Sequence, residues 1–372
     1  MYKKGKEFMN ALASQRYLIF TVLTAAFFLS NLAGCAQLSN TKAETVKSET
    51  ADNAMPQWVV QPPKLKDSYD QVVTLPIEGN LADVKAMAVV QASGKIKHLV
   101  DADIQAHYLK TQSKIEQNYG ELERNIRSRI RLQLGAMEYA KPTVKAVYEN
   151  KASHEISVWV QVTKKALATS LSNELLATDE RLHDFIHVSE RGSNFTQLLS
   201  VLPALPTLEK RQQLQDALTL FLNKPIQLNS DELARLLNAH ITRKFDAMTV
   251  SLQATTTDSK TFEPYLQQAL IQQGVPVSVR KPDLTIKYFL EFDNDGMDQG
   301  EQKVSLVADA EVVNDSGATF ASVSKTYSAQ NKSMSDARKQ AMNGFTADIS
   351  KVIINTTLRY IEKVNKSQES KH

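Results

Sequence analysis

The sequence holds a single cysteine among 372 residues, which excludes an intrachain disulfide and a thiolate zinc cluster. Glycine is scarce, with 12 residues, and no phosphate-cradling glycine loop, Gly-x-Ser-x-Gly elbow or Cys–His pair occurs. Neither sign of charge dominates: 44 Lys and Arg stand against 41 Asp and Glu, a formal +3. Long apolar runs are missing too, apart from one between Tyr17 and Leu29. What remains is a chain that is 42% hydrophobic and 23% charged, with mean hydropathy −0.32. That is too apolar for a disordered protein and too polar for a polytopic membrane protein. The length fits two or three domains, each able to bury a core of its own.

The one apolar run explains itself by its flanks. Lys3, Lys4, Lys6 and Arg16 face a single acid, Glu7, and the 13 residues from Tyr17 to Leu29 carry no charge. A basic start, a short apolar stretch and a small-residue cleavage site make a secretory signal, too short to span a bilayer comfortably. Met9 is a second candidate start, leaving Arg16 as the basic charge. Leu32, Ala33, Gly34 and Cys35 then resemble the lipobox of bacterial lipoproteins at every position. The resemblance implies a diacylglycerol on the Cys35 thiol, cleavage before it, and an acyl chain on the new amino group; no other cofactor is expected. Each buried CH₂ contributes about 0.8 kcal/mol, so two or three chains hold a soluble domain to a leaflet. Ala36 follows, where the family's inner-membrane retention signal would place Asp, and this implies the outer membrane of a Gram-negative cell. The bland alternative is a buried free cysteine behind a soluble helix.

From Asn40 to Met55 the chain is polar with no periodic apolar face and reads as a disordered tether. Without residues 1–34 the chain holds 40 basic and 40 acidic residues. The basic surplus therefore belongs to the export signal, and nucleic acid drops out as a partner.

Two α/β modules are expected beyond the tether. In the first, residues 56–63 read as an extended lead-in, because Pro62 and Pro63 oppose a helix, and Tyr69–Leu75 as a short strand. Asn80 caps a long helix in which Leu81, Val84, Ala88 and Ala92 mark one run and Ile96, Val100 and Ile104 another, with a kink near Gly94. A second helix spans 121–137 on Leu122, Ile126, Ile130 and Leu134. A hairpin then pairs Val144, Ala146 and Tyr148 with Ile156, Val158, Val160 and Val162. Pro56-Gln57-Trp58-Val59 soon after Cys35, an Ala-rich helix (Ala82, Ala86, Ala88, Ala92) and the closing strand from Ser157 to Val162 resemble the lipoprotein-20 family over residues 56–165. The resemblance implies a long helix on a small antiparallel sheet and carries no catalytic residues. The family's glycine-rich approach to the helix is here Leu75-Pro76-Ile77-Glu78-Gly79, with one glycine.

Residues 166–245 read as a helical connector, broken near Gly192, Pro203 and Pro206, with Leu171, Leu175 and Leu176 on one core face. Asn229-Ser230-Asp231-Glu232 has the form of a capping box. In the second module, 246–366, a strand at Val250 and Leu252 precedes a helix over 261–273. Strands follow at Val275–Val279, Leu284–Phe292, Leu306–Val312 and Phe320–Tyr327, and a long helix capped by Ser333 or Ser335 closes it. This order of elements is similar to the small domain at the start of TolB. Residues 367–372 form a polar tail. The fold class is α+β: two small antiparallel-sheet and helix modules joined by a helical segment, behind a signal (1–34) and a tether (35–55).

Candidate chemistry is thin. His183 and His187 share an i, i+4 spacing with Asp184 and Glu190 nearby, but no third ligand is in view, so they read as polar residues on a solvated face. Asp293–Glu301 reads as an acidic hairpin turn, with a weak calcium site left open: Gly296 fits position six, yet position twelve is Gln302. Ser322 and Lys325 have Ser-x-x-Lys spacing, but alternation puts them on a strand. Arg124, Arg127, Arg129 and Arg131 could meet anionic lipid headgroups; interspersed glutamates favour a solvated face. The sequence thus points to a non-enzymatic outer-membrane lipoprotein facing the periplasm or cell surface. It would be attached to the membrane by its lipid and serve as a scaffold or accessory factor for envelope protein partners, in an assembly of secretion or flagellar type. A periplasmic lipid- or glycan-binding module is the first rival, and a hydrolase the second.

Overall fold

Ile156, Val158, Val160 and Val162 alternate with Ser157, Trp159 and Gln161, and this period of two gives the first sheet its buried face. The computed structural model describes residues 55–369 except 136, 186–190, 229 and 279–281. In chain order its elements are α1 (Gln57–Val60), β1 (Ser68–Pro76), α2 (Leu81–Ile115), α3 (Glu121–Gln133), β2 (Thr143–Asn150), β3 (Glu155–Thr163), α4 (Lys164–Leu182), α5 (Asn194–Val201), α6 (Leu205–Leu222) and α7 (Asp231–Ala247). They continue as β4 (Val250–Ala254), α8 (Thr257–Lys260), α9 (Glu263–Gln272), β5 (Leu284–Asp298), β6 (Glu301–Asn314), β7 (Thr319–Asn331) and α10 (Met334–Glu369). The fold is α+β. Among the described residues no helix is long and apolar enough to cross a membrane.

The first sheet is antiparallel in the order β1-β3-β2. The second has the order β4-β5-β6-β7; its β4–β5 pair is parallel and the other two pairs are antiparallel, so the sheet is mainly antiparallel, as expected. A parallel pair needs a crossover, which α8 and α9 supply.

α2 runs without interruption through Gly94, so the expected kink is absent. Val84, Ala88, Ala92, Ile96, Val100, Ile104, Tyr108 and Gln112 form one buried line at strict i+4 spacing. Four residues overshoot a 3.6-residue turn by about 40°, so over seven steps the line winds about 280° around the helix. The early part therefore meets β1 and β3, and the late part meets α6. The two apolar runs in the sequence are successive stretches of this one spiral; Leu81 stays exposed.

Several local expectations need correction. The lead-in is helical for one turn, because Pro56 sits at the N-cap of α1, where a missing N–H is harmless, and Pro62 lies beyond its end. Leu176 is exposed, off the face of α4 that buries Leu171 and Leu175. Ser230 occupies the N-cap of α7 without capping it; its hydroxyl goes to Asp179, and Asn229 lies outside the described residues. The helix expected over 261–273 starts at Glu263 with Pro264 in its first turn, after the separate α8 capped by Thr256. The strand over Val275–Val279 reduces to one bridge, Val250↔Val277, with Val279 outside the described residues.

Two cores result, and the helices between the sheets feed both. Leu205 and Leu208 of α6 lie in the core of the second sheet, while Leu214, Ala217, Leu218 and Phe221 of the same helix lie in that of the first. α3, from the first module, contributes Leu122, Ile126 and Ile130 to the second core.

Candidate functional site

The lipobox residues Leu32, Ala33, Gly34 and Cys35 lie outside the described residues, as does the tether up to residue 54. The described chain begins beside the outer face of the first sheet. There the only two tryptophans in the sequence meet, Trp58 of α1 against Trp159 of β3, with ring centroids 6.2 Å apart. Beneath them Asp70 Oδ1 accepts from Trp159 Nε1 at 2.9 Å and from Gln161 Nε2 at 2.8 Å, and its Oδ2 accepts from Ser68 Oγ at 2.5 Å. Thr74 and Ser157 exchange a hydroxyl hydrogen bond at 2.8 Å. Register makes this cluster: β1 and β3 pair Asp70 with Gln161 and Val72 with Trp159 on the same face. The segment that follows the tether thus meets the sheet through the contact of Trp58 with Trp159.

The basic residues of α3 behave differently from expectation. Arg124 and Arg129 are exposed, but Arg127 is only 1% exposed and Arg131 is half-buried. Arg127 Nε donates to Glu123 Oε1 at 2.8 Å, and its Nη1 to Glu209 Oε1 at 2.7 Å and Asn238 Oδ1 at 3.1 Å. Tyr119 stacks beneath the guanidinium at 4.3 Å. Arg131 bridges Glu209 and Glu116. Burial pushes the Glu123 carboxyl upward, against the pull of Arg127 and of hydrogen bonds from Arg127 and Thr242. Arg127 and Arg131 are thus internal ties of α3, to α6 and, for Arg127, to α7, while Arg124 and Arg129 stay on the solvated face.

A second cluster lies further along α6. Arg211 donates to Asp179 Oδ1 of α4 and to Asp231 Oδ1 of α7, each at 2.6 Å. Asp231 also accepts from the Leu228 amide at 2.9 Å. Partial burial opposes its ionisation, but these donors hold it below the usual carboxylate range. On α6, near Tyr108 of α2, Asp216 accepts from Gln212 at 3.0 Å while its Oδ2 is buried without a partner. Burial pushes this carboxyl up to about 6.

The other candidates dissolve or stay structural. His183 falls in a single 3-10 turn after α4, and His187 and Glu190 lie outside the described residues. Asp293–Asp298 belong to β5, paired with β6 up to Asp298↔Glu301, so the expected acidic loop is strand. The turn itself is Gln299-Gly300, both left-handed at φ 50° and 84°, as a two-residue hairpin turn requires. Among the described residues no group of three metal-ligating side chains forms. Ser322 and Lys325 lie on β7, and Lys325 pairs with Asp348 of α10 at 3.1 Å. Open hollows among the described residues include two of note. One of about 660 Å³ is lined by Gln197, His240, Arg243 and Lys244. The other, about 320 Å³, lies where the start of α3 meets Ile271 and Gly274.

No family model matches the chain, the lipoprotein-20 family included, and no curated protein matches it. Among solved structures it is similar to a minor lipoprotein from Acinetobacter baumannii at 14% identity and TM-score 0.23, over 29% of this chain and 92% of that one. A secreted protein from Helicobacter pylori matches at 11% identity and TM-score 0.37, over 78% and 98%. A protein of Caulobacter crescentus assigned as a lipoprotein matches at 11% identity and TM-score 0.23, over 30% and 90%.

Proposed function

We propose that this chain is a lipid-anchored, non-enzymatic envelope protein of the outer membrane that acts as a scaffold for other envelope proteins. One observation carries the scaffold reading: both cores are filled by their own side chains. Tyr288 and Phe345, among the largest apolar residues in the second core, are 0% exposed, as are Val158, Val160 and Leu171 in the first. A lipid- or glycan-binding module would need an apolar cavity between helices and sheet. The two hollows described instead lie between α5 and α7 and where the ends of α3, α7 and α9 meet, and both open to solvent. Exposed Met87 and Val90 on α2 and exposed Leu132 near the end of α3 offer apolar contact points to a partner.

The anchor rests on the lipobox at Cys35, and the segment around Trp58 suits it, because the body begins immediately after the tether. Cys35→Ser is expected to abolish acylation and leave an uncleaved or soluble form. Normal signal cleavage together with normal outer-membrane fractionation of that variant would refute the anchor. For the scaffold, crosslinking and pulldown of the acylated protein from envelopes should recover protein partners. Recovery of a copurifying lipid or glycan with no protein would replace it with the binding-module reading.

A further inference from the structure

Four strands lie at sheet edges: β1, β2, β4 and β7. Exposed edges are templates for pairing with another chain, and natural proteins interrupt or shorten them. β1 ends at Pro76, β2 is broken by a bulge at Lys145, and β4 has five residues flanked by the Val277 bridge. β7 has 13 residues, about 44 Å of strand at 3.4 Å per residue. It contains no proline, and its one register shift lies at its start, between Thr319 and Ala321. Among the described residues, no backbone hydrogen bond joins Ala321–Gln330 to anything except β6.

The side chains along this edge are close to neutral. Ser322, Ser324, Thr326 and Ser328 form an exposed, uncharged outward row. The inner row, which packs toward α10, holds one charge, Lys325, and Asp348 balances it at 3.1 Å. An inward-pointing lysine ordinarily guards an edge, but its salt bridge weakens that protection.

We propose that β7 pairs antiparallel with β7 of a second copy of this chain, about a two-fold axis perpendicular to the sheet. Such an axis lies midway between the two strands and level with a residue that faces its own copy, because opposed side chains share a face. Centring on Lys325 would oppose two ammonium groups. Centring on Ser324 sets Ser324 against itself, Ser322 against Thr326, Val323 against Lys325 and Ala321 against Tyr327, so no like charges stand directly opposite, the diagonally placed Lys325 side chains each keep their Asp348 partner, and the outward hydroxyls can exchange hydrogen bonds. Each chain offers one such edge, so the pairing closes as a dimer instead of propagating. Both α10 helices then lie on the same side of one joined sheet. This inference goes beyond the scaffold reading and stands or falls separately from it.

The test uses the full chain, in membranes and after detergent extraction. Ser322→Cys, Ser324→Cys and Thr326→Cys are each treated with a short bismaleimide, with the parent chain and exposed Asp309→Cys on β6 as controls. The expected result is a dimer-sized adduct from the β7 variants and none from the controls, with a two-chain mass for the extracted protein. Ser324→Lys would oppose two ammonium groups at the axis and weaken dimerisation at least about tenfold. A one-chain mass at high micromolar concentration, the absence of a dimer adduct from all three β7 variants, or crosslinking to a different protein would overturn the proposal. The cysteine series stands even where Ser324→Lys fails to fold.

Discussion

Replacing Asp216 with Asn should make the protein more stable at neutral pH. Asp216 is 6% exposed, one of its oxygens has no partner, and its carboxyl is pushed up from 3.8 to about 6 by burial, which the Gln212 hydrogen bond only partly offsets. A carboxyl raised in the folded state is neutral in both states at low pH, so folding loses nothing there. As pH rises through about 4 the unfolded chain ionises first, and the penalty grows until the folded group ionises near 6. The full shift, about two pH units at 1.36 kcal/mol each, is a ceiling of about 3 kcal/mol above pH 6. Asn keeps the oxygen that Gln212 uses and removes the charge, but its amide must be accommodated where Oδ2 had no partner, at about 1 kcal/mol. A net gain of about 1–2 kcal/mol at pH 7.5, shrinking toward zero or reversing at pH 4.5, is therefore expected in urea unfolding curves of the two proteins. A difference that does not change with pH, or a variant less stable at pH 7.5, would refute the reasoning.

Arg127→Met leaves Glu123 buried without its cation and Glu209 with Arg131 alone, and should cost about 3–5 kcal/mol in chemical denaturation; the same change at exposed Arg129 should cost under about 0.5 kcal/mol. Gly274 has φ 78°, and a Cβ there would lie 2.6 Å from the Glu121 Cβ, so Gly274→Ala should lower stability by about 1–3 kcal/mol, seen as a lower melting temperature. Trp58→Ala should red-shift the single remaining tryptophan's emission as Trp159 loses its cover, and should cost about 0.5–1.5 kcal/mol through the lost ring pair; an unchanged spectrum would count against the ring contact.

Much of the fold was legible because most of its elements have a clean period. The alternation of Leu284, Ile286, Tyr288 and Leu290 located β5, and Ala337, Ala341, Phe345, Ile349 and Ile353 located the buried stripe of α10. The strand's polar extension through Asp298 was hidden, since it is held by cross-strand pairing with β6 and not by burial. Val275–Val279 has strand-like alternation, yet Pro276 donates nothing to a ladder, and only Val277 bridges β4. The ionic clusters were the least visible. Arg127 and Glu209 are 82 residues apart, and a basic residue on an amphipathic helix gives no local sign that its guanidinium will lie inside. The one usable signal was spacing: Arg127 follows Ile126 and precedes Ile130, which places it beside the buried stripe. The spacing that suggested a capping box at Ser230 misled for a related reason, because Asp179 offers that hydroxyl a partner from another helix.

The contact between Trp58 and Trp159 also bears on how the molecule would carry load. With Cys35 acylated as proposed, a pull between membrane and body enters the fold at α1, and no strand takes it until the two indoles separate. The next structure in line is β1, an edge strand held by one neighbour through nine register pairs with β3. Tension would thus reach the rim of the first sheet before the second, whose strands lie more than 180 residues further along the chain from Trp58. The aromatic contact would work as a mechanical fuse, yielding before the hydrogen-bonded rim behind it.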